Sequence, residues 1–347
     1  MDNPANPSRP LVSLIIPLYN GARSIGLVLE AVGGSTYENL EVVVVDDGST
    51  DDGAEIARQS GTGLALKMIT FEKNLGVSRA RNTGASEAKG DVLLFIDADC
   101  IVQADTVEKC VEELQKGDSA CVGGVYTTMP WDDVFFSGFQ SLYINYVESK
   151  NEHPDYIATH CMAIRKETFE EFGGFIEDSF IGHQASVEDV EFCHRLLRAG
   201  YKLTRRADIQ VQHSFGFNFS KSVKNAIKKS KIWTMYSLKN RDVMKDSGAA
   251  SHELKVNVFT QMLNLALLAA AAMTRIWWLL LAVPVLYLIN IIANYHFLQL
   301  VKKERGAWYL VRVLAYYQLV YPFVVAYGSL VGTLKYIWEV KLLHRYV

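Results

Sequence analysis

Three uncharged stretches near the carboxyl end constrain this chain more than any other feature. Val256–Met273 runs for 18 residues, Ile276–Val301 for 26 and Val313–Leu334 for 22 without an Asp, Glu, Lys or Arg. About 20 apolar helical residues cross the hydrocarbon core of a bilayer, and soluble domains seldom hold three such runs close together. The first two runs read as spans joined by a tight turn at Thr274–Arg275. The third either spans or lies in the interface. Basic residues set the orientation. Lys221–Lys245 carries eight Lys or Arg against one acid, Asp242, and Lys302, Lys303 and Arg305 follow the second run, whereas only Arg275 sits in the turn. The positive-inside bias then places the preceding domain in the cytoplasm. A full third span would put Lys335, Lys341 and Arg345 outside, which favours a re-entrant or interfacial segment. In the cationic stretch Lys221, Lys224, Lys228 and Lys231 share one helical side. That pattern suits a solvated face or a helix resting on anionic lipid, and the spans that follow favour lipid.

The chain ahead of these runs has a different solvent. Residues 1–10, MDNPANPSRP, form a polar tail without the apolar centre of a signal peptide. From Leu11 to Phe219, short β-branched runs alternate with amphipathic stretches. Leu11–Pro17, Leu40–Asp46, Ala65–Phe71 and Asp91–Asp97 are too short for buried helices and read as buried strands. Helices are predicted near 22–33, 51–60, 77–88 and 104–116. The alternation predicts an α/β fold, a mostly parallel sheet with helices on both faces and ligands at the carboxyl ends of the strands. The expected organisation is a tail over 1–10, an α/β domain over 11–219, basic amphipathic helices over 220–252 and a membrane domain over 253–347. A hydrophobic content of 50% excludes a disordered polymer, and a net charge of −3 gives no pull towards nucleic acid. Cys100, Cys110, Cys121, Cys161 and Cys193 form no CxxC pair, so reduced thiols are expected.

Two acidic clusters stand where strands should stop, Asp46-Asp47-Gly48-Ser49-Thr50-Asp51 and Asp97-Ala98-Asp99. Carboxylates at i and i+2 on extended chain share a face, and a divalent cation relieves their repulsion. Ser49, Thr50 and Asp51 fit a helix cap better. Arg79 and Arg81, near a helix start, can meet a pyrophosphate or simply face water. Glu188 and Asp189 open a helix. They either oppose its dipole or aim one carboxylate into the cleft as a base. His213 ends a strand-like run and has no special claim from spacing. No Ser-His-Asp arrangement or Walker lysine loop appears.

Taken in order, IIPLYN (Ile15–Asn20), VVVVDDGSTD (Val42–Asp51), NLGVSRARNTG (Asn74–Gly84), GDVLLFIDADC (Gly90–Cys100), FGGF (Phe172–Phe175), EDVEF (Glu188–Phe192) and the late His213 resemble the family 2 glycosyltransferases with the GT-A (Rossmann-like) fold. The resemblance covers roughly residues 11–215. It implies transfer of a sugar from a nucleotide-diphospho-sugar with inversion, assisted by Mg²⁺ or Mn²⁺. It assigns Pro17, Tyr19, Asn20 and Asp47 to the nucleotide, with Asp47 accepting from the base. Arg81 lies near the nucleotide, Asp97 at the ribose or sugar, and Asp99 with His213 at the metal. Asp189 is the general base, with Glu188 beside it. Two departures matter. Gly21-Ala22-Arg23 replace an acid common after the first motif, and the helix Glu191–Arg198 lacks the Gln-x-x-Arg-Trp of processive synthases, which favours single-sugar transfer. A uridine donor is favoured by analogy, and the hydrophobic runs suggest a lipid-linked acceptor at the cytoplasmic membrane face. Three alternatives remain: a polyprenyl- or dolichyl-phosphate sugar synthase, a non-catalytic nucleotide-binding membrane scaffold, and a nucleotidyltransferase. Oligomeric state is open.

Overall fold

The computed structural model describes residues 9–177 and 187–342, the side chains of 340–342 excepted. Most of the expected tail and Arg345 lie outside these residues. The chain forms two compact units. One comprises the residues up to Trp131 together with Ser149–Phe215. The other comprises Asp132–Glu148 and everything from Gly216 onward.

The first unit carries β1 (Val12–Leu18), α1 (Ile25–Gly33), β2 (Leu40–Asp46), α2 (Gly53–Ser60), β3 (Leu66–Thr70), α3 (Val77–Glu87), β4 (Val92–Phe95), β5 (Cys100–Val102), α4 (Thr106–Gln115) and β6 (Cys121–Tyr126). The sheet order is β3-β2-β1-β4-β7-β6-β8-β5, with β7 at Met162–Arg165 and β8 at Leu203–His213. Helices α6 (Lys166–Glu171) and α7 (Glu188–Arg198) complete this unit. β3, β2, β1 and β4 are parallel, as the β-branched runs predict, and so are β6 and β8. β7 and β5 run antiparallel to their neighbours, so the sheet is mixed. All seven residues of β1 and Val42–Asp46 of β2 are buried, which continuous apolar strands covered on both faces require. α1 buries Ile25, Val28, Leu29 and Val32, one stripe at helical spacing. All five cysteines are buried and free.

One topological consequence positions the site. β1, β2, β4, β6 and β8 share a direction, and β5 starts where they end. Tyr19, Asp47, Asp97, Thr127 and His213 follow or close those strands, and Asp99 precedes β5. All of them therefore meet at one edge.

In the second unit, α5 (Phe135–Ser149) is an aromatic-lined helix, followed by α8 (Phe219–Asn240), α9 (His252–Thr274), α10 (Ala282–Ala293), α11 (Tyr295–Leu319) and α12 (Tyr321–Tyr336). Phe139 and Tyr143 of α5 pack among Phe297, Tyr316, Tyr317 and Tyr321, with ring centroids 5.1–6.4 Å apart. Two stretches, His252–Thr274 and Tyr295–Glu339, are long and apolar enough to cross a membrane.

The expected second span, Ile276–Val301, is not one helix. A 3-10 turn at Trp277–Leu281 leads into α10, and Asn294 (φ −97°, ψ 9°) separates α10 from α11. The third run breaks at Val320 (φ −122°, ψ −56°), with Pro322 in the first turn of α12. α11 is interrupted as well, at Gly306 (φ 80°). α12 lies along α8. A Cβ on Gly328 would meet the Ile227 carbonyl at 2.8 Å, and one on Gly332 the Lys231 carbonyl at 2.4 Å, so only glycine allows this approach.

A buried amide network explains how the breaks are tolerated. Asn290 Nδ2 donates to Asn257 Oδ1 (2.7 Å) and Thr260 Oγ1 (2.9 Å), while Asn290 Oδ1 accepts from Gln318 Nε2 (2.6 Å). Asn257 Nδ2 donates to the Tyr317 carbonyl near the second break (2.8 Å). Tyr317 Oη donates to Asn294 Oδ1 (3.0 Å), and Asn294 Nδ2 to the Asn290 carbonyl (2.9 Å). Gln261 and Asn264 extend the chain of bonds along α9. Backbone groups released by a broken helix in an apolar setting need such partners.

Candidate active site

At the β1 and β2 end, side chains knit two loops together. Asn20, in left-handed backbone (φ 51°), accepts from the Thr50 amide at 2.8 Å, and its own amide donates to Ser49 Oγ at 3.0 Å. Asp51 accepts from the amides of Ala22 and Gly53, at 2.9 and 3.0 Å, just ahead of α2, whose N-cap Asp52 makes no side-chain cap bond. Asp47 is 3% exposed and accepts from the amides of Leu75 (2.6 Å) and Gly76 (3.0 Å). Burial pushes its carboxyl up, against the pull of those two amides. Pro17 is buried within β1, whereas the Tyr19 ring is half exposed. A flat ring displayed beside a buried carboxylate and fixed backbone can receive a nucleobase.

The Asp97-Ala98-Asp99 segment is a turn, with the Cys100 amide donating to the Asp97 carbonyl at 3.0 Å. The extended chain anticipated from the sequence would have pointed both acids one way; the turn sends them to different partners. Asp97 accepts from Arg81 Nη2 at 2.6 Å, and Arg81 Nη1 donates to Glu188 Oε1, also at 2.6 Å. Arg81 is only 3% exposed, so it faces these two acids and not open solvent. Burial would raise the Asp97 carboxyl, but the guanidinium outweighs it and holds the group below its ordinary range. Glu188 Oε2 is buried and has no hydrogen-bond partner among the described residues.

Asp189 stands next to this trio at the start of α7. Burial first, and the neighbouring Glu188 second, push its carboxyl up to about 7, against the opposing pull of Arg81. A carboxylate near half-ionisation at neutral pH suits proton transfer.

Asp99 takes the other direction. Its Oδ1 lies 3.5 Å from His213 Nε2 and 3.7 Å from Cys100 Sγ, and the potential ligand atoms of the three residues lie within 4.8 Å of one another. Burial raises Asp99, with His213 opposing. Burial and the nearby acids push the Cys100 thiol well above its usual range, so it stays protonated. That leaves an oxygen and an imidazole nitrogen, a donor set that fits Mn²⁺ or Mg²⁺ with diphosphate oxygens filling the remaining positions. His213 is held on three sides. Its backbone pairs with Cys100 in the sheet. Its ring stacks on Phe215 at 3.8 Å and 9° between planes. Tyr126 meets it edge-on at 5.0 Å.

The structure thus brings Arg81, Asp97, Asp99, Glu188, Asp189 and His213 into one cluster, and Pro17, Tyr19, Asn20 and Asp47 to the β1–β2 end of the same sheet edge. Sequence reasoning missed the Arg81 bridge and the Tyr126–Phe215 support of His213. The closeness of His213, the last residue of β8, to Phe215 two positions on was the hint of the second; nothing local announced the first.

A mixed α/β sheet with carboxylates gathered at its carboxyl edge is a setting for a nucleotide ligand, and its likeness to known proteins makes the chain a nucleotide-sugar-dependent transferase. Residues 13–173 match the family model for glycosyl transferase family 2. Glycosyltransferase AglE of Haloferax volcanii is 31% identical over 241 residues, 67% of this chain and 78% of that protein. Glycosyltransferase GlyG of Streptococcus pneumoniae is 32% identical over 117 residues, 33% of this chain and 39% of its own length. Chondroitin synthase of Escherichia coli is 37% identical over 120 residues, 34% of this chain and 17% of that one. In structure, the chain is similar to a mannosyltransferase from Pyrobaculum calidifontis determined with GDP-Man and Mn²⁺, at 21% identity and a TM-score of 0.59, covering 95% of this chain and 88% of that one. The chain belongs to the family 2 glycosyltransferases and is an enzyme of the GT-A fold.

Proposed function

We propose that this enzyme transfers a single sugar, with inversion, from a nucleotide-diphospho-sugar to a hydroxyl of a lipid-linked or glycolipid acceptor at the cytoplasmic membrane face, in glycan or cell-envelope biosynthesis. The observation that carries the reading is Asp189, a carboxyl held near pH 7 and tied through Glu188 and Arg81 to the acid after β4. A hydroxyl nucleophile must lose its proton as it attacks, and such a carboxylate can take it. An acceptor phosphate is already anionic and needs no base, which disfavours the polyprenyl-phosphate synthase. Asp47, Tyr19 and Asn20 hold the nucleotide in this reading. Asp99 and His213 would hold Mg²⁺ or Mn²⁺, which when bound supplies charge stabilisation to the departing diphosphate. Glu188 and Asp97 orient Arg81 and, through Oε2 of Glu188, the substrate. The apolar stretches His252–Thr274 and Tyr295–Glu339 support a membrane location, and the cationic α8 supports a cytoplasmic catalytic unit.

The test is a donor screen with the full chain in membranes, reading nucleoside diphosphate release with and without a chelator. Release from one donor that needs both a membrane extract and a divalent ion supports the reading. Equal release onto soluble sugars removes the lipid acceptor, and full turnover in excess chelator removes the metal.

A further inference from the structure

Six large hydrophobic side chains among the described residues of the first unit are more than a third exposed: Tyr19, Leu75, Met129, Trp131, Ile176 and Tyr201. Four of them sit at the carboxyl edge of the sheet, in two pairs. Tyr19 and Leu75 flank Asp47. Met129 and Trp131 follow β6, on the far side of β4 from Asp47 in the strand order.

The second pair is held on fixed backbone. The Thr127 amide donates to the Val211 carbonyl at 3.0 Å, and the Trp131 amide to the His213 carbonyl at 2.9 Å. The Met129 carbonyl accepts from Thr127 Oγ1 (2.6 Å) and from Gln212 Nε2 (3.2 Å). Residues 127–131 therefore run beside the last residues of β8, and Trp131 is joined by backbone to the histidine that faces Asp99. The indole is 52% exposed and Met129 46%, although the loop carrying them is restrained at four hydrogen bonds.

We propose that Trp131, with Met129, is a binding subsite for a pyranose ring of the acceptor. This rests on the glycosyl-transfer reading above. A pyranose has a face of C–H bonds that lies flat on an indole and a rim of hydroxyls that needs polar neighbours. The indole supplies the floor, and Gln212, whose Nε2 reaches the Met129 carbonyl, stands with Thr128 at the rim. A hydrocarbon chain would want a wider apolar floor than two side chains give. The nucleotide end is already furnished on the β1 side of β4 by Tyr19 and Asp47, so a second aromatic platform beyond β4, joined by backbone to His213, serves the incoming partner. Rigid presentation reduces the entropy lost on binding, and tryptophan offers much contact area for few rotors.

The experiment uses the full chain in a sugar-free detergent, with its six tryptophans replaced biosynthetically by 5-fluorotryptophan. Trp131→Phe assigns the Trp131 fluorine resonance. Methyl pyranosides of glucose, galactose, mannose and N-acetylglucosamine are titrated in turn. At least one is expected to move the Trp131 resonance. The Kd of that glycoside, from a saturation-transfer titration, should rise about tenfold in Trp131→Leu, equivalent to about 1.4 kcal/mol, and recover partly in Trp131→Phe. Donor KM for hydrolysis without acceptor should not change. No shift with any pyranoside overturns the subsite. A shift with phosphatidylglycerol vesicles alone assigns the ring to the membrane and also overturns it, as does a raised donor KM with unchanged glycoside binding. If no nucleotide sugar is hydrolysed by the unaltered enzyme, the glycosyl-transfer reading fails on its own, and the fluorine shifts still decide whether a sugar ring binds.

Discussion

Arg81 and Glu188, 107 positions apart in the chain, meet through a 2.6 Å hydrogen bond with both side chains under 10% exposed. The same guanidinium takes Asp97 at 2.6 Å. One arginine thereby fastens the opening of α7 to the end of β4. It also leaves the cluster short of positive charge, because Glu188, Asp97 and Asp189 share it. That shortage, added to burial, is what keeps Asp189 poised between its two protonation states.

Replacing Asp189 by Asn removes the proposed base without changing shape. Turnover onto a hydroxyl acceptor is expected to fall about 10²–10⁴-fold, with donor KM nearly constant. The measurement is steady-state diphosphate release. A drop of less than threefold or so would instead point to an acceptor that arrives already ionised.

The pH profile follows from the same group. A carboxyl raised to about 7 is protonated below that pH and cannot accept a proton, so the rate should climb through pH 7 and level off above it. Glu188→Gln deletes the anion that helps raise Asp189 and leaves Arg81 freer to lower it. Both effects move the acid limb to lower pH. A limb that stays in place in this variant would show that burial alone sets the value.

Arg81→Met leaves Asp97 and Glu188 without their cation. Breaking a buried pair this way costs about 3–5 kcal/mol, which thermal denaturation will read as a clear fall in Tm. Any residual activity should have its acid limb displaced to higher pH, opposite to Glu188→Gln, because the cation that lowers Asp189 has gone. Arg81→Lys keeps the charge but not the fork that reaches two acids, so it should fall between.

Phe215→Leu tests the support of His213. The stacked ring, 3.8 Å away, fixes the imidazole plane. Groups that orient a metal-binding histidine typically change metal affinity about 10–100-fold. Mn²⁺ titration followed by electron paramagnetic resonance should show that loss in Phe215→Leu and a larger one in His213→Ala. Equal binding in Phe215→Leu and the unaltered enzyme would make the stacking incidental.

The strands of the first half were legible because continuous apolar runs such as Leu40–Asp46 have few other uses, and β2 spans those residues. The acids were legible as positions but not as partners. Asp97 and Asp99 diverge because the Cys100 amide closes a turn on the Asp97 carbonyl, and a two-residue spacing cannot distinguish a turn from an extended chain. The Arg81 bridge joins segments that only the folded sheet brings together. In the second unit hydropathy marked where the apolar chain lies, but not that Asn294 and Val320 break it, since the polar side chains that make those breaks tolerable are spread over α9, α10 and α11.

Asn290 is fully buried, so the bonds that converge on it can be exchanged only within the protein. Sliding α9 by a single residue against α10 or α11 would strand several of them at once. Hydrocarbon contacts alone set no such notch, because one apolar surface slips past another at little cost. The helices of this unit accordingly carry their own alignment marks.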